Sequence, residues 1–278
     1  MSIRQTVDTL LRGMGQIMLQ DNALTGLLFL LGILVNSWEM FFAALLGVVS
    51  GTASAYLLKY DKNDISHGLY GFNAALVGVG LLFFYQPSVV LAILIIAGSA
   101  LSTVIMNFMH KRKMSPYTFP FILSTWIVMA FVSLSGIVPA QPSSPLPLSL
   151  DIPSALSMGF SQVMFQANIL TGILFLAAIT VNSRTNALFA LLGSLVGMIV
   201  ALALSFPLGL ITIGIYGYNG VLCGIAFAGA KKHAFALAIA SIALSTLLVF
   251  AIQATGISVL TSSFVFATWI MLSLGKKL

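Results

Sequence analysis

Six pairs of polar residues recur at matched places in otherwise apolar surroundings: Gln16 and Gln162, Asn22 and Asn168, Thr25 and Thr171, Asn36 and Asn182, Asn73 and Asn219, and Thr118 and Thr261. Uncharged amides and hydroxyls do little covalent chemistry without a neighbouring base. They offer hydrogen bonds, either to the protein or to a neutral polar solute. An unpaired polar group in an apolar interior costs about 1–3 kcal/mol, so each of these residues needs a partner. Asn22, Asn36 and their mates lie at the ends of apolar segments, where capping or helix-to-helix bonding is the expected role. Asn73 and Asn219 suit a cap or a re-entrant turn. Gln16, Gln162, Thr118 and Thr261 suit a solute path as well as a structural bond. Phe72 with Leu76, and Tyr218 with Leu222, are spaced i and i+4, so each pair shares a helix face. Packing is the first reading of that spacing.

Other chemistries lack their parts. The sequence contains no Ser–His–Asp set, no paired carboxylates and no phosphate-binding loop. His67, His110 and His233 lie at unrelated places and compose no metal site. His110 and His233 adjoin basic loops, and His67 starts a segment, where a cap or interfacial role is expected. The lone Cys223 excludes an internal disulfide and a cysteine metal site. A membrane enzyme is therefore the least favoured class. The glycines of 68–80 fit close helix packing or a broken helix, not nucleotide binding.

The elements that position these residues are membrane helices. Of 278 residues, 59% are hydrophobic and 6% charged, against about 25% charged in a soluble domain. Mean hydropathy is +1.08. The length suits about 10 spans at ~20 residues each. The net charge of +6 reads as cytoplasmic loop charge under the positive-inside rule, not as a nucleic-acid surface. The first twenty residues, with Arg4, Asp8 and Arg12, do not read as a cleavable signal peptide.

The chain is a tandem duplication. At an offset of 146 residues, Leu24-Thr25-Gly26 falls on Leu170-Thr171-Gly172, Val35-Asn36-Ser37 on Val181-Asn182-Ser183, and Tyr70-Gly71-Phe72-Asn73 on Tyr216-Gly217-Tyr218-Asn219. Past Gly78 the offset drops to 143, where Ala100-Leu101-Ser102-Thr103 matches Ala243-Leu244-Ser245-Thr246 and Thr125-Trp126 matches Thr268-Trp269. Residues 1–138 form the first membrane repeat, 139–153 a Pro- and Ser-rich linker, and 154–278 the second repeat. Apolar segments are expected at 23–37, 40–58, 66–85, 88–109 and 116–138, and again at 169–183, 187–205, 211–229, 234–253 and 258–274. A shorter, more polar segment precedes each set. It enters and returns without crossing, or it crosses and a segment near Gly71–Gly78 is broken instead.

Charge selects the topology. The first repeat carries Arg4, Arg12, Lys59, Lys62 and Lys111-Arg112-Lys113; the second carries Lys231-Lys232 and Lys276-Lys277, at loops whose first-repeat equivalents have none. An odd number of crossings per repeat inverts the second relative to the first and gathers these charges on one side. The fold class is thus an all-α membrane protein with two inverted repeats, each of five transmembrane helices plus a re-entrant half-helix, around a central pore, with both termini cytoplasmic. Arg184 is the one basic residue expected outside. No Asp, Glu, Lys or Arg falls mid-span. Proton relays, ion-coupled carriers and anion pores use such residues, so the economical reading is passive passage of a small neutral polar molecule. Coupled transport is disfavoured. Ammonia passage would call for paired mid-span histidines. Water passage of the aquaporin type would call for Asn-Pro-Ala at two half-helices, where Asn73-Ala74 and Asn219-Gly220 stand here.

The combination resembles the urea transporter family. The residues that carry the resemblance are Gly15-Gln16, Asn22-Ala23-Leu24-Thr25-Gly26, Gly68-Leu69-Tyr70-Gly71-Phe72-Asn73-Ala74-Ala75-Leu76-Val77-Gly78 and Ser115-Pro116-Tyr117-Thr118-Phe119-Pro120-Phe121, echoed by Gln162, 168–172, 214–224 and Thr261-Ser262-Ser263-Phe264. The resemblance implies cofactor-free, channel-like urea permeation by a homotrimer with one pore per protomer, in a bacterial inner membrane. It implies flat apolar slots, an oxygen ladder and a central constriction. By motif, Phe72, Leu76 and Leu19 wall an inner slot, and Tyr218, Leu222 and Val163 an outer one. Gln16 and Gln162 sit near the slots, and the Thr118 and Thr261 hydroxyls serve the central site. Leu19 and Tyr218 stand where the family favours phenylalanine. Tyr218 is therefore expected to add a hydroxyl to the outer slot, and Leu19 to thin the inner one. Urea is flat, neutral and dipolar, so apolar faces with oxygens along one edge suit it. A short amide, ammonia or water remains the alternative solute.

Overall fold

A computed structural model of the chain describes residues 2–142, 144–229 and 233–275. Lys231, Lys232, Lys276 and Lys277, on which part of the charge argument rests, lie outside the described residues. The chain divides into two compact units, Met1–Ser143 and Ser144–Leu278. Within the described residues both are built from helices, with one isolated antiparallel bridge between Tyr85 and Ala140.

The first unit runs α1 (Ile3–Gln16), α2 (Ala23–Asn36), α3 (Trp38–Leu57), α4 (Lys62–Ser66), α5 (Phe72–Phe84), α6 (Val89–Lys111) and α7 (Phe119–Ser135). The second repeats the order with α8 (Ile152–Ser161), α9 (Ile169–Asn182), α10 (Arg184–Ala203), α11 (Leu208–Thr212), α12 (Tyr218–Phe227), α13 (Ala234–Gln253) and α14 (Ser262–Gly275). Three pairs, α2 with α9, α3 with α10 and α4 with α11, begin and end 146 residues apart.

Matched residues set these boundaries. Asn22 and Asn168 cap α2 and α9, accepting the Thr25 and Thr171 N–H groups at 3.0 and 2.9 Å. Ser37 and Ser183 cap α3 and α10 in the same way. Such a cap is worth about 1 kcal/mol.

Among the described residues four helices, α3, α6, α10 and α13, have the length and hydropathy to cross a membrane alone. The 3-10 turn Gln162–Met164 extends α8, and the pair α8–α9 is bent by 74°, as a broken span or a re-entrant loop. Five further apolar helices are shorter. The expected segments 66–85 and 211–229 open on the last residues of the short helices α4 and α11, which end at Ser66 and Thr212; a turn follows, and α5 and α12 begin only at Phe72 and Tyr218. At 1.5 Å per residue, α5 reaches about 20 Å, short of a ~30 Å hydrocarbon core.

The break has a steric cause. Gly68 and Gly214 take left-handed φ values of +75° and +80°, and each lies against the α1 or α8 backbone at Gly13 or Gly159. A Cβ there would stand 2.2 and 2.4 Å from the Gly13 and Gly159 nitrogens.

Helices that face lipid gain little from apolar burial against one another, so close backbone approach and hydrogen bonds hold them. α3 and α5 meet backbone to backbone in both directions. A Cβ on Gly47 would lie 2.2 Å from the Ala74 carbonyl, and one on Gly78 would lie 2.1 Å from the Ala43 carbonyl. Gly193 and Gly224 repeat this between α10 and α12. Outer faces carry exposed Phe42, Val49, Ile93, Leu188, Ile199 and Phe250.

The linker is partly docked. Gln86 and Gln141 N–H groups donate to the Pro139 and Phe84 carbonyls in the first unit. In the second, the Asp151 N–H donates to Thr212 Oγ1, which donates to the Ser149 carbonyl. The second unit's first helix starts at Ile152, inside the stretch expected to be linker, with Pro153 in its first turn.

Candidate functional site

In the first unit, Phe72 opens α5 and Leu76 lies one turn on; both are buried. Asn73 sits between them in sequence. Its Oδ1 accepts the Phe121 N–H at 3.0 Å and its Nδ2 donates to the Tyr117 carbonyl at 3.3 Å. These bonds bracket the start of α7, where Thr118 occupies the cap position, buried, after a left-handed Tyr117 (φ +45°). The clamp brings Phe72, Leu76 and Thr118 into one neighbourhood.

In the second unit, Tyr218 opens α12 with Leu222 one turn on, both buried. Asn219 Oδ1 accepts the Phe264 N–H at 3.1 Å, and its Nδ2 approaches the Leu260 carbonyl at 3.5 Å. Thr261 is buried between them, after a left-handed Leu260 (φ +49°). Asn73 and Asn219 are thus the residues that place the two threonines.

Gln16 ends α1, and its Nε2 donates to the His67 carbonyl at 3.3 Å, at the exit of α4. Leu19 takes a left-handed φ of +59° in the loop that follows and is half-buried. In the second unit Gln162 and Val163 lie in the 3-10 turn, both buried, packed against α12. The two loops close alike. Gln20 and Gln166 N–H groups donate to the Gly15 and Ser161 carbonyls, and their side-chain amides to the Met18 and Met164 carbonyls. Both glutamines are fully buried. Their duplication was visible in the sequence, but a role in holding the loop was not.

The Tyr218 hydroxyl does not stand free beside Leu222, as its expected contribution to a slot requires. It donates to the Leu260 carbonyl. Phe72 has no hydroxyl, so the Tyr117 carbonyl lacks that donor. Likewise the sequence left the buried threonines of α6 and α13 without a role. Thr103 Oγ1 reaches the Gly51 and Tyr70 carbonyls at 3.2 and 3.4 Å, and Thr246 Oγ1 the Tyr216 carbonyl at 3.3 Å. They tie the α4–α5 and α11–α12 turns to the long helices.

Charge gathers at one end of the first unit. Arg12 pairs with Asp8 and Asp21, both at 2.7 Å, and Asp21 also meets His67 Nδ1 at 2.6 Å. The hydrogen bond to Asp8, then that to Asp21, pushes the Arg12 pKa further up, which keeps the guanidinium charged. His110 meets Asp64 at 3.2 Å. His67 takes the cap position at the end of α4, one of the two roles expected for it, and is half-exposed. The second repeat has Ser154, Met158, Ala167 and Ile213 where the first has Asp8, Arg12, Asp21 and His67.

Four long apolar helices free of mid-length charge, with duplicated polar clamps, define a helical integral membrane protein. The urea transporter family model matches residues 7–276. Urea transporter 1 of Mus musculus is 30% identical over 265 residues, covering 86% of this chain and 68% of that protein. Urea transporter 1 of Rattus norvegicus gives the same identity and coverage, and that of Ovis aries is 30% identical over 263 residues, covering 85% and 68%. The chain belongs to the urea transporter family, which is a transport and not an enzyme family.

Proposed function

We propose that this protein conducts urea passively down its gradient through a narrow pore served by both repeats. The observation that carries the reading is the duplicated clamp: a buried hydroxyl residue, Thr118 or Thr261, set by Asn73 or Asn219 beside an aromatic–leucine face, Phe72–Leu76 or Tyr218–Leu222. In this reading the apolar faces, with Leu19 and Val163, exclude hydrated ions and thick solutes. Gln16 and Gln162 meet the solute near the slots. The threonine hydroxyls and neighbouring carbonyls accept its N–H bonds at the centre and offset part of its desolvation.

In this reading the repeats are inverted, five crossings each, an odd number under which the positive-inside rule puts the loop cations Lys59, Lys62 and Lys111-Arg112-Lys113 on the cytoplasmic side. Both termini are cytoplasmic, and the membrane is a bacterial inner membrane. The assembly is a homotrimer with one pore per protomer.

The test is urea flux into proteoliposomes by stopped flow, with wild type and with Thr118→Val plus Thr261→Val. Flux that collapses by about tenfold or more in the double variant supports both the solute and the central site, each lost hydroxyl being worth about 1 kcal/mol. Unchanged flux in the variant discards the threonine role. No urea flux from folded wild type moves the reading to a short amide, ammonia or water.

A further inference from the structure

A cavity of about 620 Å³ opens at the polar end of the first unit, between the start of α1, the end of α3 and α4. Arg4 and Asp8 line it from one face of α1, Tyr56 from α3, and Lys62 and Ser66 from one face of α4. Its volume lies within the range of small-ligand sites. Asp8 shares Arg12 with Asp21, each at 2.7 Å. Asp64 meets His110, and Asp61 caps α4. Arg4 and Lys62 form no ion pair among the described residues, and both stand at the cavity wall.

Apolar groups border the same place. Leu57 and Leu58, next to Tyr56, are 82% and 50% exposed, and Ile3 and Val7 on α1 are 86% and 49% exposed. Cations beside exposed apolar residues at the end of a membrane helix mark the headgroup zone.

The second repeat supplies an internal control. At the 146-residue offset, Arg4, Tyr56 and Lys62 become Leu150, Leu202 and Leu208. There Leu150 and Leu202 pack against a hydrophobic cluster containing Ala155, Met198, Phe206 and Tyr216. At these matched positions the second repeat packs Leu150 and Leu202 against a hydrophobic cluster, and the first sets Arg4 and Tyr56 at a cavity wall.

We infer that this cavity binds a phosphate-bearing anion, either an anionic phospholipid headgroup or a free phosphate, held by Arg4 and Lys62. Native mass spectrometry of the full chain tests it with dioleoylphosphatidylglycerol, dioleoylphosphatidylcholine and inorganic phosphate as probes. Wild type should retain phosphatidylglycerol over phosphatidylcholine. Arg4→Gln plus Lys62→Gln should lose about tenfold in phosphatidylglycerol affinity, whereas Lys59→Gln plus Lys113→Gln, with equal charge loss, should lose less than about twofold. Should the first variant not elute as a monodisperse species, Arg4→Leu plus Lys62→Leu, which carries the second repeat's residues, serves instead. Displacement by millimolar phosphate identifies the ligand as the free anion, and resistance identifies the lipid; both keep the site. Equal loss in the two charge variants, or no loss in either, overturns it.

Discussion

Asn73 Oδ1 accepts the backbone N–H of Phe121 at 3.0 Å, although 48 residues separate them, and Asn219 does the same for Phe264 at 3.1 Å. One side chain on α5 or α12 therefore fixes where α7 or α14 begins. Asn73→Ala leaves a buried N–H and carbonyl without that partner, at about 1–3 kcal/mol per group. The melting temperature in detergent should fall by about 5 °C or more, with a larger fractional loss of urea flux than of stability. Asn73→Asp, which keeps the acceptor, should recover part of both. A variant that melts like wild type would refute the clamp.

The hydroxyl of Tyr218 is committed to the Leu260 carbonyl. Tyr218→Phe should cost about 0.5–1.5 kcal/mol of stability and leave urea permeability within about twofold. The ratio of acetamide to urea flux, read by stopped flow, should not change. A clear shift in that ratio would place the hydroxyl in the solute path instead.

Backbone contact between α3 and α5 leaves no room for a side chain at Gly47 or Gly78. Gly47→Ala should destabilise by about 1–3 kcal/mol through overpacking, and Gly193→Ala in the second repeat should do the same. Gly229 is the control, because a methyl added there would meet nothing within 4 Å. Gly229→Ala should stay within about 0.5 kcal/mol. Yield of monodisperse protein and melting temperature read all three. Equal behaviour of Gly47→Ala and Gly229→Ala would contradict the close approach.

One core position has exchanged volume between the repeats. Val77 packs against Gly98, whereas its counterpart Cys223 packs against Ser241 and Thr268. The Thr125 hydroxyl, equivalent to that of Thr268, is buried without a partner, because Val77 offers no sulfur. Cys223→Val alone should cost about 1–2 kcal/mol, and adding Ser241→Gly should return most of it, a coupling of neighbours in a double-mutant cycle. Additive effects would dismiss the exchange. Cys223 is fully buried, so a maleimide reagent should label it only after unfolding.

The amino-acid sequence by itself determined the membrane class, the duplication and its register, and the family. These rest on composition and spacing, which survive in one dimension. The 146-residue offset read from Asn36, Gly71 and Asn73 returns as α2 with α9 and α3 with α10, residue for residue. The expectation that Asn22 and Asn168 cap helices was legible because a cap acts on its own next turn. Tertiary structure alone decided what depends on distant partners. The turn that separates α4 from α5, and delays the helix expected from residue 66, follows from Gly68 lying on Gly13. The use of Asn73, Gln20, Thr103 and the Tyr218 hydroxyl follows from which carbonyls the fold brings to them. An apolar sequence does not show which of its backbone groups a turn will leave unpaired. Only the folded chain presents them, and the buried polar side chains go where those groups are.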